Sequence, residues 1–84
     1  MKMVIVAIKD RAAEAFMRPW FVATVGIAVR SFIDEVNRKA DDNQLYQHPD
    51  DFELYEIGVF DDSNGRIESY DDMHLLMMAK QVRE

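Results

Sequence analysis

The residues of this chain best equipped for chemistry fall in two clusters, DDSNG at 61–65 and KDRAAEAFMRPWF at 9–21. The first sets oxygen groups at Asp61, Ser63 and Gly65, the alternation of a calcium loop. A helix–loop–helix calcium site also requires Gly at its sixth position and Glu at its twelfth. Counted from Asp61, those positions hold Arg66 and Asp72. Asn64-Gly65 instead supplies the positive φ of a hairpin turn, with Asp61 placed to cap it. His48 and His74 are the only histidines and there is no Cys. A zinc site needs three or four converging nitrogen, sulfur or carboxylate ligands, and this chain offers no spacing that assembles them. His48-Pro49-Asp50-Asp51 reads as a turn entering a strand. Ser31, Ser63 and Ser69 sit in no nucleophile elbow, and three glycines form no phosphate loop. The expectation is a non-enzymatic protein with no catalytic residue, no metal site and no cofactor.

The second cluster interleaves cations with aromatics: Lys9, Arg11, Phe16, Arg18, Trp20 and Phe21. Such a locus tracks phosphates and stacks unpaired bases, so these six residues are the candidate nucleic-acid-binding set. The competing reading packs Phe16, Trp20 and Phe21 over a sheet and lets the arginines reach out to water.

The charge distribution limits the first reading. The 84 residues carry a net charge of −6, but unevenly. Residues 1–40 hold seven basic against four acidic groups, a net of +3, and residues 41–84 hold three against twelve, a net of −9. A uniformly basic nucleic-acid binder is excluded, because phosphate neutralisation supplies most of such affinity. A locally basic face then allows weak, salt-sensitive binding at most, and the alternative is a charged surface that keeps a small protein soluble.

The elements that must position these residues follow from periodicity. KMVIVAIK at 2–9 is apolar at both alternating positions and β-branched, as in a central strand covered on both faces. RAAEAFM allows one or two helical turns before Pro19 stops them. Thr24 offers an N-cap for a helix continuing to about Lys39, with Val25, Val29, Phe32 and Val36 on one face. Asp34 lies four residues from both Arg30 and Arg38, a spacing for ion pairs on the opposite side. Residues 39–51 form a polar connection with Leu45 and Tyr46 as its only large apolar anchors. FELYEIGVF and RIESY read as two strands of a hairpin. DMHLLMMAKQVR at 72–83 reads as a terminal helix, with Leu75, Met78, Ala79 and Val82 on one face and Asp71 or Asp72 as its cap. The fold class expected is α+β: one small β-α-β-β-α domain spanning 1–84, its antiparallel sheet packed by helices on one face. MVIVAI at 3–8 is far short of the roughly 20 residues that span a bilayer, so no membrane partner is expected. A chain this small without disulfides gains stability by association, and a homodimer is expected.

The order and spacing of these pieces also resemble a known family. They are an opening strand ending in Lys9-Asp10, then Ala15-Phe16 and Pro19-Trp20-Phe21, followed by Thr24 and Gly26 to Phe32 with Asp34, Val36 and Asn37. His48 to Phe52, Leu54, Ile57-Gly58, Phe60-Asp61-Asp62 and Asn64-Gly65 complete the pattern. Over residues 1–67 the chain resembles the small non-structural protein of gokushovirus-type microviruses, phages with circular single-stranded DNA. The tail after Tyr70 matches poorly, and Trp20 and Val29 stand where Phe and Ile are common. The resemblance implies an accessory role in single-stranded DNA genome synthesis or packaging, in the host bacterial cytoplasm. Its partners would be single-stranded DNA, or a viral or host replication protein bound without contact to DNA. It brings no catalytic residues.

Overall fold

The computed structural model describes all 84 residues. Strand β1 (Lys2–Asp10) is the centre of a wholly antiparallel sheet. Strand β4 (Phe52–Asp61) pairs with it along its whole length. Its other edge is shared by two short strands, β2 (Ala15–Phe16) at the Lys9 end and β3 (Trp20–Val22) at the Val4 end. Strand β5 (Arg66–Met78) adds outside β4 and forms the far edge. This surrounds β1 with neighbours, so Ile5, Val6, Ala7 and Ile8 are all buried, as the unbroken apolar run predicts.

One face of the sheet meets the helices. Helix α1 (Val25–Val36) starts at Thr24, whose Oγ1 accepts the Ile27 N–H at 3.3 Å, and buries Ala28, Phe32 and Val36. Helices α2 (Gln44–Gln47) and α3 (Ala79–Val82) contribute Leu45 and Ala79. These side chains close over Val6, Ile8, Val22, Phe52 and Leu54 in a single core. Between α1 and α2 the connection is held by Asn43, the one buried polar residue. Its Nδ2 donates to the Glu35 and Arg38 carbonyls at 2.7 and 2.8 Å, and its Oδ1 accepts the Leu45 N–H at 3.2 Å. Asn37 works similarly: its amide donates to the Ile33 and Val82 carbonyls and accepts the Glu84 N–H, tying the end of the chain to the end of α1. Arg83 adds a second tie, its guanidinium 3.7 Å from the Tyr46 ring centroid and its Nε donating to the Tyr46 carbonyl.

The α+β class, the central strand, the Thr24 cap and the Asn-Gly hairpin stand as expected. At the hairpin, Gly65 takes φ +74° and its N–H donates to the Asp61 carbonyl at 2.8 Å. The Asp61 carboxylate accepts the Ser63 hydroxyl at 2.6 Å and the Ser63 N–H at 3.0 Å. The hydroxyl bond and then the backbone bond hold that carboxyl below its ordinary pKa. Asp61 is therefore a turn residue, and nowhere do three His, Asp or Glu side chains converge as a metal cluster.

Four local expectations are corrected. The terminal helix at 72–83 is largely strand: β5 runs through Met78, and only Ala79–Val82 is helical. Leu, Met and His in this stretch fit either state, and pairing of Met77 and Met78 with Leu54 and Glu53 decides it. Asp71 and Asp72 consequently lie within β5 and cap nothing. RAAEAFM makes no helix, because the Asp10 carboxylate takes the Ala12 and Ala13 N–H groups and turns the chain, with Glu14 at φ +55°. Helix α1 ends at Val36 rather than near Lys39, its last turn capped by Asn37. On its outer side Arg38 pairs with Glu35 at 2.7 Å, and neither Arg30 nor Arg38 reaches Asp34.

Candidate nucleic-acid interface

Register assigns every strand residue to a face, because directly opposed residues point the same way. Val4, Val6 and Ile8 face the helices. Met3, Ile5, Ala7 and Lys9 face the other way, and no helix covers them. Opposite Lys9 lies Phe16, and opposite Ile5 lies Phe21. On the β4 side Ala7 is opposed by Tyr55 and Met3 by Phe60. Leu75 and Ile67 of β5 extend the same face beyond Tyr55 and Phe60.

The result is an aromatic sheet face. Phe16 meets Tyr55 edge-on with centroids 5.7 Å apart, and Phe21 meets Phe60 edge-on at 5.5 Å. The rings roof Ile5 and Ala7, which are 5% and 1% exposed, yet Phe16 and Phe21 keep 40% and 44% of their own surface in water. Antiparallel sheets with one solvated face normally turn polar side chains outward. An uncovered face carrying four rings departs from that pattern and is the candidate binding surface of the molecule. None of the molecule's cavities is lined by any of these rings.

Cations gather toward the β2 side of this face. At the β2 edge Lys9 lies 5.9 Å from the Phe16 centroid, with Arg11 in the following turn and Arg18 exposed between β2 and β3. None of the three makes a salt bridge. Directly opposite Lys9 on β4, Glu53 brings a carboxylate onto the same face. Tyr55 donates to Glu53 at 3.5 Å, and burial, then the Glu53 charge, raises its hydroxyl pKa. A second polar group marks the irregular part of the β4–β5 ladder: Tyr70 donates to Glu56 at 2.7 Å and stacks on His74 at 4.9 Å. That hydrogen bond, with burial second, raises the Tyr70 pKa.

Of the six residues singled out in the sequence, Lys9, Phe16 and Phe21 share the open face, and Arg11 and Arg18 border it. Trp20 does not: it lies opposite Val6 and packs against the core under the helices. Tyr55 and Phe60 are the ring positions that sequence reasoning missed. They differ in parity, so simple alternation places them on opposite faces. The ladder slips beside Ile57, where Val6 opposes Glu56 but Ile5 opposes Gly58. One extra residue restores both rings to the same side. Gly58 was the available signal, since a glycine inside a strand marks a bulge or a close backbone approach. A Cβ there would collide with the Glu68 carbonyl of β5.

Fold and face together define a small α+β protein that buries one side of its sheet and presents the other as an aromatic surface. The chain belongs to the Phage ORF5 protein family, whose model matches residues 3–82, and is thus a phage accessory protein. No curated protein and no solved structure matches it. No helix is long and apolar enough to cross a membrane.

Proposed function

We propose that this phage protein is a non-enzymatic, weak binder of single-stranded DNA acting in genome synthesis or packaging. The observation that carries the reading is the uncovered aromatic face, with Lys9, Arg11 and Arg18 unpaired along one edge of it. Exposed rings on a sheet face accept the faces of unpaired bases, which a duplex keeps stacked and hidden. Three cations are few, and the Glu53 carboxylate opposite Lys9 repels phosphate, so affinity is low and base stacking supplies most of it. Titration of labelled dT12 at two salt concentrations tests this. Binding is expected with a log–log salt slope of about −2, from roughly 0.7 per phosphate contacted. Absence of binding at low salt defeats the reading.

A second reading is favoured by one further observation, the unpaired outer edge of β5, 13 residues long, with Ile67 and Leu75 exposed. It is a protein-interaction module, a homodimer or a partner of a viral or host replication protein, that never touches DNA. An unpaired strand edge is a template for another strand. Sedimentation at micromolar concentration, with and without dT12, separates the two: a DNA-indifferent dimer supports the second.

A further inference from the structure

The open face carries more than a site; it carries a direction and a spacing. Phe16 and Phe21 both lie on the β2–β3 edge, opposite Lys9 and Ile5 of β1. Four residues of strand separate these positions, about 13 Å along β1 at a rise of roughly 3.3 Å per residue. An extended single strand whose bases no longer stack on one another steps about twice the 3.4 Å stacked spacing, so 13 Å is roughly two nucleotide steps. Between the two rings the chain leaves the sheet through Met17, Arg18 and Pro19, and Arg18 stands exposed at the midpoint without a hydrogen bond or ion pair. Lys9 lies beside the first ring. The Glu53 carboxylate stands on the β4 side of Lys9, away from the β2–β3 edge.

Resting on the single-stranded DNA reading, we propose that a DNA strand runs along the β2–β3 edge, parallel or antiparallel to β1, rather than across the sheet. Phe16 and Phe21 each take one base, the two bases being separated by one intervening nucleotide. Arg18 meets the phosphates of that middle nucleotide, and Lys9 meets the backbone beside the Phe16 base. Tyr55 and Phe60 do not take bases; their edges brace the two stacking rings. The middle base makes no stack. Ile67 and Leu75, on β5, lie outside the tract.

Patterned abasic oligonucleotides test the spacing. A dT12 in which every second base is missing still offers pairs of bases two steps apart, and it should bind within about threefold of intact dT12. A 12-mer keeping only every third base offers no such pair and should bind about tenfold more weakly than the first, a loss typical of one stacked base. Phe16→Leu and Phe21→Leu keep the apolar roof over Ile5 and Ala7 but remove the ring. Each should abolish the difference between the two patterns, whereas Ile67→Ala and Leu75→Ala should preserve it. Arg18→Gln should lower the magnitude of the salt slope by about 0.7. Circular dichroism confirms folding of each variant.

If the two patterned strands bind alike while intact dT12 binds, the spacing is overturned and the DNA reading survives. If intact dT12 does not bind at low salt, both fall. If sedimentation shows a dimer that Phe16→Leu and Phe21→Leu dissociate, the face is covered by a second copy and the tract is likewise overturned.

Discussion

The two faces of the sheet are nearly equal in apolar content and opposite in use. Under the helices Val6, Ile8, Val22 and Leu54 are aliphatic and interlock with Phe32 and Val36 until almost no surface remains. On the open side Phe16, Phe21, Tyr55 and Phe60 are rings that shield Ile5 and Ala7 while keeping an outer face in water. Branched aliphatics fill volume; aromatics combine covered area with a planar, polarised surface. The first kind of face contributes mainly to stability. The second contributes some stability and leaves a planar surface in water, and that difference can be measured.

The largest effect is expected on the covered side. Phe32 is 1% exposed at the centre of the core, and Phe32→Ala should cost about 3–5 kcal/mol. In a domain this small that is a large share of a total stability of roughly 5–15 kcal/mol. Urea denaturation followed by circular dichroism measures it. Phe21→Leu, its counterpart on the open face, should cost about 1 kcal/mol or less, because little burial is lost. If Phe21→Leu matches Phe32→Ala, the open face is a second core and the contrast fails.

Next come the places where backbone, rather than side-chain volume, holds the faces in register. Gly58 brings β4 against the Glu68 carbonyl, so Gly58→Ala should force the strands apart at a cost of about 1–3 kcal/mol. It should also shift Phe60 relative to Phe21, and weaken DNA binding more than its stability loss explains. Asn43→Ala removes a buried donor from two carbonyls and an acceptor from the Leu45 N–H, for about 1–3 kcal/mol. This change lies wholly on the helix side, so at a temperature where both proteins stay folded, dT12 binding should be unchanged. Equal binding loss in both variants would mean the faces are not separable.

The contrast between faces was only half legible in the sequence. Periodicity exposed the covered side well: the branched side chains of MVIVAI favour a central strand over a short buried helix, and Val25, Val29, Phe32 and Val36 share a helical stripe whose Phe32 and Val36 are buried in the core. The open side was obscured by two irregularities. The slip at Ile57 moves Phe60 to the face of Tyr55, and parity counting cannot foresee an unpaired residue. The β2–β3 edge puts Trp20 and Phe21 on opposite faces, which a list of neighbouring aromatics cannot separate without knowing that the chain is extended there. The C-terminal stretch misled for a different reason. HLLMMAK fits a helix by propensity, and the β4 edge it completes is a long-range fact absent from the local pattern.

The smallest effect is expected where neither face is involved, on the outer side of α1. Arg38 holds Glu35 through Nε and Nη2, and those hydrogen bonds, ahead of the charge itself, depress the Glu35 pKa below its usual value. Both side chains are about half exposed, so water and salt screen the pair and its contribution should be the smallest of the set. The sign follows from linkage: a carboxyl whose folded pKa is lowered adds stability above its unfolded pKa. That increment should therefore be present at neutral pH and disappear as the pH falls through the depressed folded value. Arg38→Gln should lower the urea midpoint slightly at pH 7, and the gap from the unaltered protein should close in acid. A gap larger than that of Asn43→Ala, or one that persists in acid, would show that Arg38 acts through its stem packed near the α1–α2 connection rather than through its charge.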